Sequence, residues 1–266
     1  MNRSSLYFEL FRFVLLHPRL GLDMIKAARE AKADASEILF EYKPTDKDIE
    51  SAIVKLFPNE TLSIKDLHHN LIPLENHLKE FFKKLETEQY PSKKKPYPIN
   101  YSLVSDAGFF LYTLCKIIKP NIVVETGVAY GNSSSYVLQA LHENKKGTLY
   151  SIDSIFSPWQ TKEMIGSAIP VELKSKWNLI LNSSSKKLPT LLKSLNEIDV
   201  FFHDSLHTSK NMMFEFETAW PFIKSGGFLL SDDISGNNVF YKFYNSLKRE
   251  ALMFGINKDL FGIIPK

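Results

Sequence analysis

"NIVVETGVAYGNSSSY", residues 121–136, runs from apolar residues into an acid, a threonine and a glycine, and meets a second glycine four residues later. The apolar part reads as a buried strand over 121–125, and the row of small polar residues as the start of a helix over 132–143. Gly127 and Gly131 let the backbone turn sharply and approach a ligand closely. Glu125 is the residue that needs a reason: a carboxylate at the tip of a strand that otherwise belongs in a core.

The same texture repeats downstream. Short apolar runs at 147–153 ("GTLYSID"), 176–182 ("KWNLILN"), 198–204 ("IDVFFHD") and 226–233 ("GGFLLSDD") alternate with helical periodicity, including helices at 186–195 and 209–222. A helix at 103–118 precedes the first strand. Strands that are apolar throughout and separated by helices predict a parallel sheet covered on both faces. The final stretch, "ALMFGINKDLFGIIPK", has two apolar runs around "NKD" and predicts a closing antiparallel hairpin. The expected fold is therefore α/β, a doubly wound, mostly parallel seven-stranded sheet.

Upstream, residues 1–100 predict helices alone, at 22–40, 46–56 and 73–89. Leu6, Phe8, Leu10, Phe11, Phe13, Val14 and Leu15 form a further amphipathic helix that ends before Pro18. Three prolines in 90–100 mark a boundary. The chain divides into a helical N-terminal extension over 1–100, a lid or a contact between copies of a homo-oligomer, and a sheet domain over 101–266.

Composition narrows the partners. A net charge of +3 with no concentrated basic stripe argues against nucleic acid, and "KKK" at 93–95, within "YPSKKKPYP", reads as a solvated linker. Glu9 and Arg12 interrupt an N-terminal apolar stretch already too short to span a bilayer. Cys115 is the only cysteine, so no intrachain disulfide forms, which fits a cytoplasmic location. Its apolar helical surroundings predict burial.

Ligands of such sheets bind beyond the carboxyl ends of the strands. Those ends carry Glu125, Gly127 and Gly131, then Asp153, then Asn182, Ser183 and Ser184, then Asp204 and His207, and last Asp232 and Asp233. Asp153 is placed to take the hydroxyls of a ribose, and the helix start at 132–134 to receive an anion. Glu125 beside that anion site would repel a pyrophosphate. It suits a ligand that carries both a carboxylate and an ammonium group, as S-adenosylmethionine does. His203 reads as a packing or hydrogen-bonding residue, and Trp159 as a flank of the adenine or ordinary packing. Asn237, Asn238 and Tyr241 are candidates to face an acceptor, and the helix at 211–222 has no ligand role.

"VVETGVAYGNSS", "LYSID", "FFHDSLHT" and "GGFLLSDDI" together resemble class I S-adenosylmethionine-dependent methyltransferases with their Rossmann-like fold. Within that superfamily they look like the bacterial small-molecule O-methyltransferases that share a metal site with catechol-type enzymes. The resemblance covers about residues 100–266, and Ala129 departs from it where many methyltransferases carry a middle glycine. It implies Glu125 near the methionine ammonium, Gly127 and Ser133 along the methionine moiety with Gly131 in the same turn, Asp153 on the ribose, and Ser183 or Ser184 beside the adenine. It implies that Asp204, which also borders the cofactor, holds a divalent cation with Asp232 and Asp233, magnesium above all. Three carboxylates at neighbouring strand ends repel one another unless a cation intervenes, and oxygen ligands without cysteine favour a hard ion. His207, three residues beyond Asp204, stands where catechol-type relatives often carry a lysine, and is the expected base. The expected reaction is metal-assisted transfer of a methyl group to a hydroxyl of a sugar or secondary metabolite. Two rivals are a nicotinamide-dependent oxidoreductase and a non-catalytic protein that binds the cofactor or serves assembly.

Overall fold

The computed structural model describes residues 3–37, 39–45, 48–60, 63–99, 105–256 and 259–266. The expected helix starts at 46 and 103, residue 38 of the helix expected over 22–40, and the Asn257–Lys258 turn of the hairpin lie outside these residues. Seven strands form one sheet: β1 (Ile122–Thr126), β2 (Thr148–Asp153), β3 (Trp177–Leu181), β4 (Ile198–His203), β5 (Ile223–Ser231), β6 (Leu252–Ile256) and β7 (Asp259–Pro265). Their order is β3-β2-β1-β4-β5-β7-β6. The first five run parallel, and β7 runs antiparallel to both β5 and β6, as the terminal hairpin predicts. Strand order reverses between β1 and β4, the place where doubly wound sheets open a crevice for ligands.

Alternation along the strands builds two cores. Val123, Val200, Phe202, Phe228 and Leu230 face one way, and Val124, Phe201 and Leu229 the other. The first face is covered by α3 (Ile49–Leu56), α4 (Ile64–Glu86), α5 (Ser105–Ile118) and α6 (Asn132–Glu143), the second by α7 (Ser184–Leu195), α8 (Ser209–Ala219) and α9 (Val239–Ser246). Cys115 is buried in α5, and that burial pushes its thiol up to about 12. In α4 the Leu67, Leu71, Leu74, Leu78 and Leu85 stripe joins the same cluster as Phe110 and Leu138 of the sheet domain, so one core runs through both parts of the chain. This helix starts nine residues before the expected 73, capped by the Ser63 hydroxyl, which accepts from Asp66 N. Pro73 lies inside it.

The N-terminus adds α1 (Arg3–Leu16) and α2 (Pro18–Asp34), separated at His17 because Pro18 favours the first turn of a new helix. Tyr7, Phe8, Phe11, Leu15 and Leu16 of α1 are exposed. Among the described residues no helix is long and apolar enough to cross a membrane.

Lys93 and Lys94 of the Pro-rich stretch are exposed, as the linker reading expects, but the rest of it packs. Lys95 is only 9% exposed and Tyr97 only 3%. Tyr97 N donates to the Tyr130 hydroxyl, which donates back to Tyr97 O (3.2 and 2.9 Å). Prolines exclude regular structure here but not burial.

Candidate active site

Backbone bonds carry the parallel alignment past the strand ends. Gly127 N donates to Ile152 O (2.9 Å), Asn182 N to Asp153 O (2.8 Å), Asp204 N to Thr126 O (2.9 Å) and Asp232 N to His203 O (3.0 Å). Five loop starts therefore sit side by side. Gly127 (φ 84°) passes so close to the next loop that a Cβ there would lie 1.8 Å from the Asp204 carbonyl oxygen. Gly131 (φ 89°) answers to packing instead: a Cβ would meet Ile169 at 2.7 Å and Gly166 at 2.9 Å. Ala129 occupies the middle of this turn at φ 47°, a left-handed conformation costly for a residue with a Cβ. Ala129→Gly is expected to stabilise the protein by about 0.5–1 kcal/mol in urea denaturation, the strain released less the entropy glycine adds to the unfolded chain.

The structure answers the question Glu125 raises. Its carboxylate, 1% exposed, accepts from the hydroxyls of Ser133 (2.7 Å), Ser134 (2.6 Å) and Ser151 (2.7 Å). Ser151 in turn accepts from the Trp177 indole N–H (2.9 Å). Burial raises the Glu125 pKa, the serines pull it down, and the charge of Asp153 raises it further. The hydroxyl of Ser133, expected along a methionine moiety, is thus turned inward onto Glu125. Ser134, Ser151 and Trp177 escape sequence reading, although Ser151 lies directly across the ladder from Glu125.

Asp153 spans the turn. One oxygen accepts from Val128 N (3.1 Å) and Ala129 N (3.0 Å), the other from Ser154 N (2.6 Å). Burial raises its pKa against those three bonds. Tyr97, from the N-terminal extension, brings a buried hydroxyl that has no partner among the described residues, its pKa raised by burial and then by the charge of Asp153. No sequence signal pointed to it.

Asp204 carries the largest electrostatic load. Its pKa stands well above the usual carboxyl range because of burial, then the charges of Asp232, Glu125, Asp233 and Asp153. His207 Nε2 lies 3.9 Å from Asp204 Oδ1, while its Nδ1 is buried without a partner among the described residues. Burial first, then neighbouring His203, brings the His207 pKa down to about 3 against the opposing charge of Glu215, so the ring is neutral at neutral pH.

The donor set of Asp204, Asp232 and Asp233 has the chemistry of a hard-cation site. Its geometry departs from that expectation: among the described residues no three His, Cys, Asp or Glu side chains come together as a metal-holding group. Asp204 is half-buried, whereas Asp233 takes a left-handed turn (φ 47°) ahead of the short helix Ile234–Gly236 and is exposed.

Of the two serines expected near an adenine, Ser183 caps α7 and lies 3.2 Å from the Ser185 hydroxyl. Ser184 instead bonds the buried Glu215 of α8. Asn237, Asn238 and Tyr241 are occupied in holding loops together. Asn237 Nδ2 donates to His207 O (3.1 Å), Asn238 Oδ1 accepts from Phe40 N (2.6 Å), and Tyr241 stacks on Phe40 with centroids 3.9 Å apart. The extension also reaches the β4 loop, where Thr208 Oγ1 donates to Glu30 (3.1 Å) and Ser209 N to Asp34 (2.8 Å). A strap of extension residues therefore tethers the loops that follow β4 and β5.

Residues 124–234 match a family model described as a methyltransferase domain. No curated protein matches the chain. Solved structures do. The O-methyltransferase from Bacillus cereus in complex with SAH aligns with a TM-score of 0.57 at 16% identity, over 82% of this chain and 100% of that one. An SAH-bound methyltransferase from Podospora anserina gives 0.53 at 13% identity, over 86% and 100%. An O-methyltransferase from Streptomyces achromogenes involved in tomaymycin synthesis, in complex with SAM, gives 0.53 at 15% identity, over 71% and 88%. At these identities the likeness establishes the fold, the seven-stranded sheet of the methyltransferases.

Proposed function

We propose that this chain, whose residues 124–234 carry the methyltransferase-domain pattern, is an S-adenosylmethionine-dependent O-methyltransferase acting on a hydroxyl of a small molecule such as a sugar or secondary metabolite. One observation carries the proposal. Glu125 is buried and Asp153 and Asp204 are half-buried around the Gly127 turn, and each has its pKa raised by loss of solvent with a further push on Glu125 and Asp204 from acidic neighbours. A ligand with an ammonium and a sulfonium relieves that strain, whereas the pyrophosphate of a dinucleotide increases it. The solved methyltransferases named above, crystallised with SAH or SAM, support the same ligand class.

The donor supplies a methyl group on a cationic sulfur. Glu125 and Asp153 supply negative charge and hydrogen-bond acceptors for its two polar ends, and Gly127 leaves room for it against the backbone. His207 accepts the acceptor hydroxyl's proton at Nε2 as the oxygen–methyl bond forms and the sulfur–methyl bond breaks. A proton gained there lies beside the Asp204 carboxyl, 3.9 Å away, whose ionised form stabilises the imidazolium as an ion pair. A divalent cation at Asp204, Asp232 and Asp233 suits their oxygen-only donors but would need the three side chains to converge on it, and no step above depends on it.

The N-terminal strap forms the lid on the acceptor side. Phe40→Ala removes the stack on Tyr241, an aromatic contact worth about 0.5–1.5 kcal/mol, and is expected to raise the acceptor KM about two- to tenfold. The affinity for S-adenosylhomocysteine should stay as it was. A shift in that affinity with KM unmoved would take the strap out of the acceptor site.

The function itself is tested by incubating the full chain with methyl-labelled S-adenosylmethionine and a panel of sugars, phenols and aliphatic alcohols, with magnesium or with EDTA. Label should appear on oxygen in at least one class. Transfer that persists in EDTA removes the cation from the proposal, and label found only on nitrogen or carbon removes the hydroxyl.

A further inference from the structure

Glu215 and His203 form a buried pair that the reaction as described does not use. Glu215, fully buried on α8, accepts from His203 Nδ1 (2.6 Å), Thr126 Oγ1 (2.5 Å), Ser205 Oγ (2.9 Å), Asn211 Nδ2 (3.1 Å) and the Ser184 side chain. Burial pushes its pKa up, but His203 and the bonds from Ser184 and Thr126 outweigh this and hold it below the usual range. An ionised carboxylate only accepts, so the hydrogen of the His203 ring sits on Nδ1. In the neutral ring the other nitrogen, Nε2, is then an acceptor, and it is buried without a partner among the described residues. The neighbouring His207 ring lies 5.0 Å away, centroid to centroid, edge to face at 83°, and its Nδ1 is likewise buried without a partner. Phe216 closes another side of His203 at 5.5 Å.

Two orphaned nitrogens on adjacent buried rings each cost about 1–3 kcal/mol, and a small shift of the rings that joins them in one direct hydrogen bond removes both costs together. We infer that Glu215 and His203 set the tautomer of His207: His203 Nε2 accepts the hydrogen of His207 Nδ1, which leaves the lone pair of His207 on Nε2, the nitrogen facing Asp204. The hydrogens balance, one on each ring, both on Nδ1. Which ring nitrogen is protonated follows from the bond the other nitrogen makes, so an acid on α8 decides whether His207 can take a proton from an acceptor hydroxyl. Glu215 and His203 are positioning residues. Their value to catalysis rests on the base role proposed for His207, but the tautomer does not.

The test is nitrogen-15 NMR of the full chain labelled at histidine, which distinguishes a protonated from a lone-pair ring nitrogen without any turnover. Wild-type His207 should show hydrogen on Nδ1 and a lone pair on Nε2. Hydrogen on His207 Nε2 overturns the inference, whatever the activity. Glu215→Gln no longer dictates which His203 nitrogen is protonated, and should give mixed tautomers at His203 and His207, with kcat falling about tenfold while the acceptor KM holds. An unmixed Nδ1–H tautomer at His207 in that variant overturns the role of Glu215. Should Glu215→Gln fail to fold, the wild-type spectrum still decides. A His207→Ala variant with full transfer activity would refute the base role alone.

Discussion

Glu125→Ala should lose about 3–5 kcal/mol of stability in chemical denaturation, because it strands three buried serine hydroxyls at once. Ser133 and Ser134 open α6 and Ser151 lies on β2, so the carboxylate ties a helix start and a neighbouring strand to the tip of β1. Glu125→Gln separates this structural role from the binding role. Its amide can still pair with hydroxyls, which rotate to accept as readily as they donate, and the fold should survive with a cost near 1 kcal/mol. Its neutral head no longer attracts an ammonium. The affinity for S-adenosylhomocysteine should drop at least tenfold, about 1.4 kcal/mol. Unchanged affinity in a folded Glu125→Gln protein would confine Glu125 to holding the turn.

Asp204→Asn should move stability and activity in opposite directions. The acid it replaces is held neutral-leaning by burial and by four acidic neighbours, and removing a charge from such a place commonly stabilises by about 0.5–2 kcal/mol. Methyl transfer should fall about 100-fold or more, the usual cost of a group that serves the proton-transfer step. A pH series tests the same physics. The folded-state pKa of Asp204 lies above the unfolded value of 3.8, so the folded protein binds the extra proton between those two values. Stability contributed by that proton is fully present below the unfolded value and is lost as pH rises through the folded one. Measured in EDTA, the wild-type thermal midpoint should fall as pH rises across this window, and the Asp204→Asn midpoint should fall less steeply. Parallel slopes would mean that Asp204 is not the acid under load.

Most of the sheet is legible in the letters because the central strands are short apolar runs whose two faces both enter a core, as in Ile198–His203. The closing hairpin is legible for the same reason. Misreadings arise where composition stands in for packing. "YPSKKKPYP" has no periodicity to interpret, yet Tyr97 enters the turn at Tyr130. Glu215 was passed over inside an apparently ordinary core helix. Its spacing gave the signal: Met212, Glu215, Phe216 and Ala219 form one buried stripe, so an acid stands on an apolar face and requires buried partners. The site acids themselves were placed by a simple rule, that residues at the carboxyl ends of parallel strands meet. Their partners were not, since Ser133 and Ser134 turn inward only because Glu125 sits beneath the first turn of α6. The acids at 232 and 233 show the opposite limit. Adjacent letters diverge when the chain enters a left-handed turn at the second of them.

Calorimetric titration of the full chain with S-adenosylhomocysteine, run beside an identical titration with NADH, addresses the central claim most directly. The acids gathered around Gly127 predict saturable one-to-one binding of S-adenosylhomocysteine and no heat from NADH. Saturable binding of NADH with none of S-adenosylhomocysteine would contradict the account.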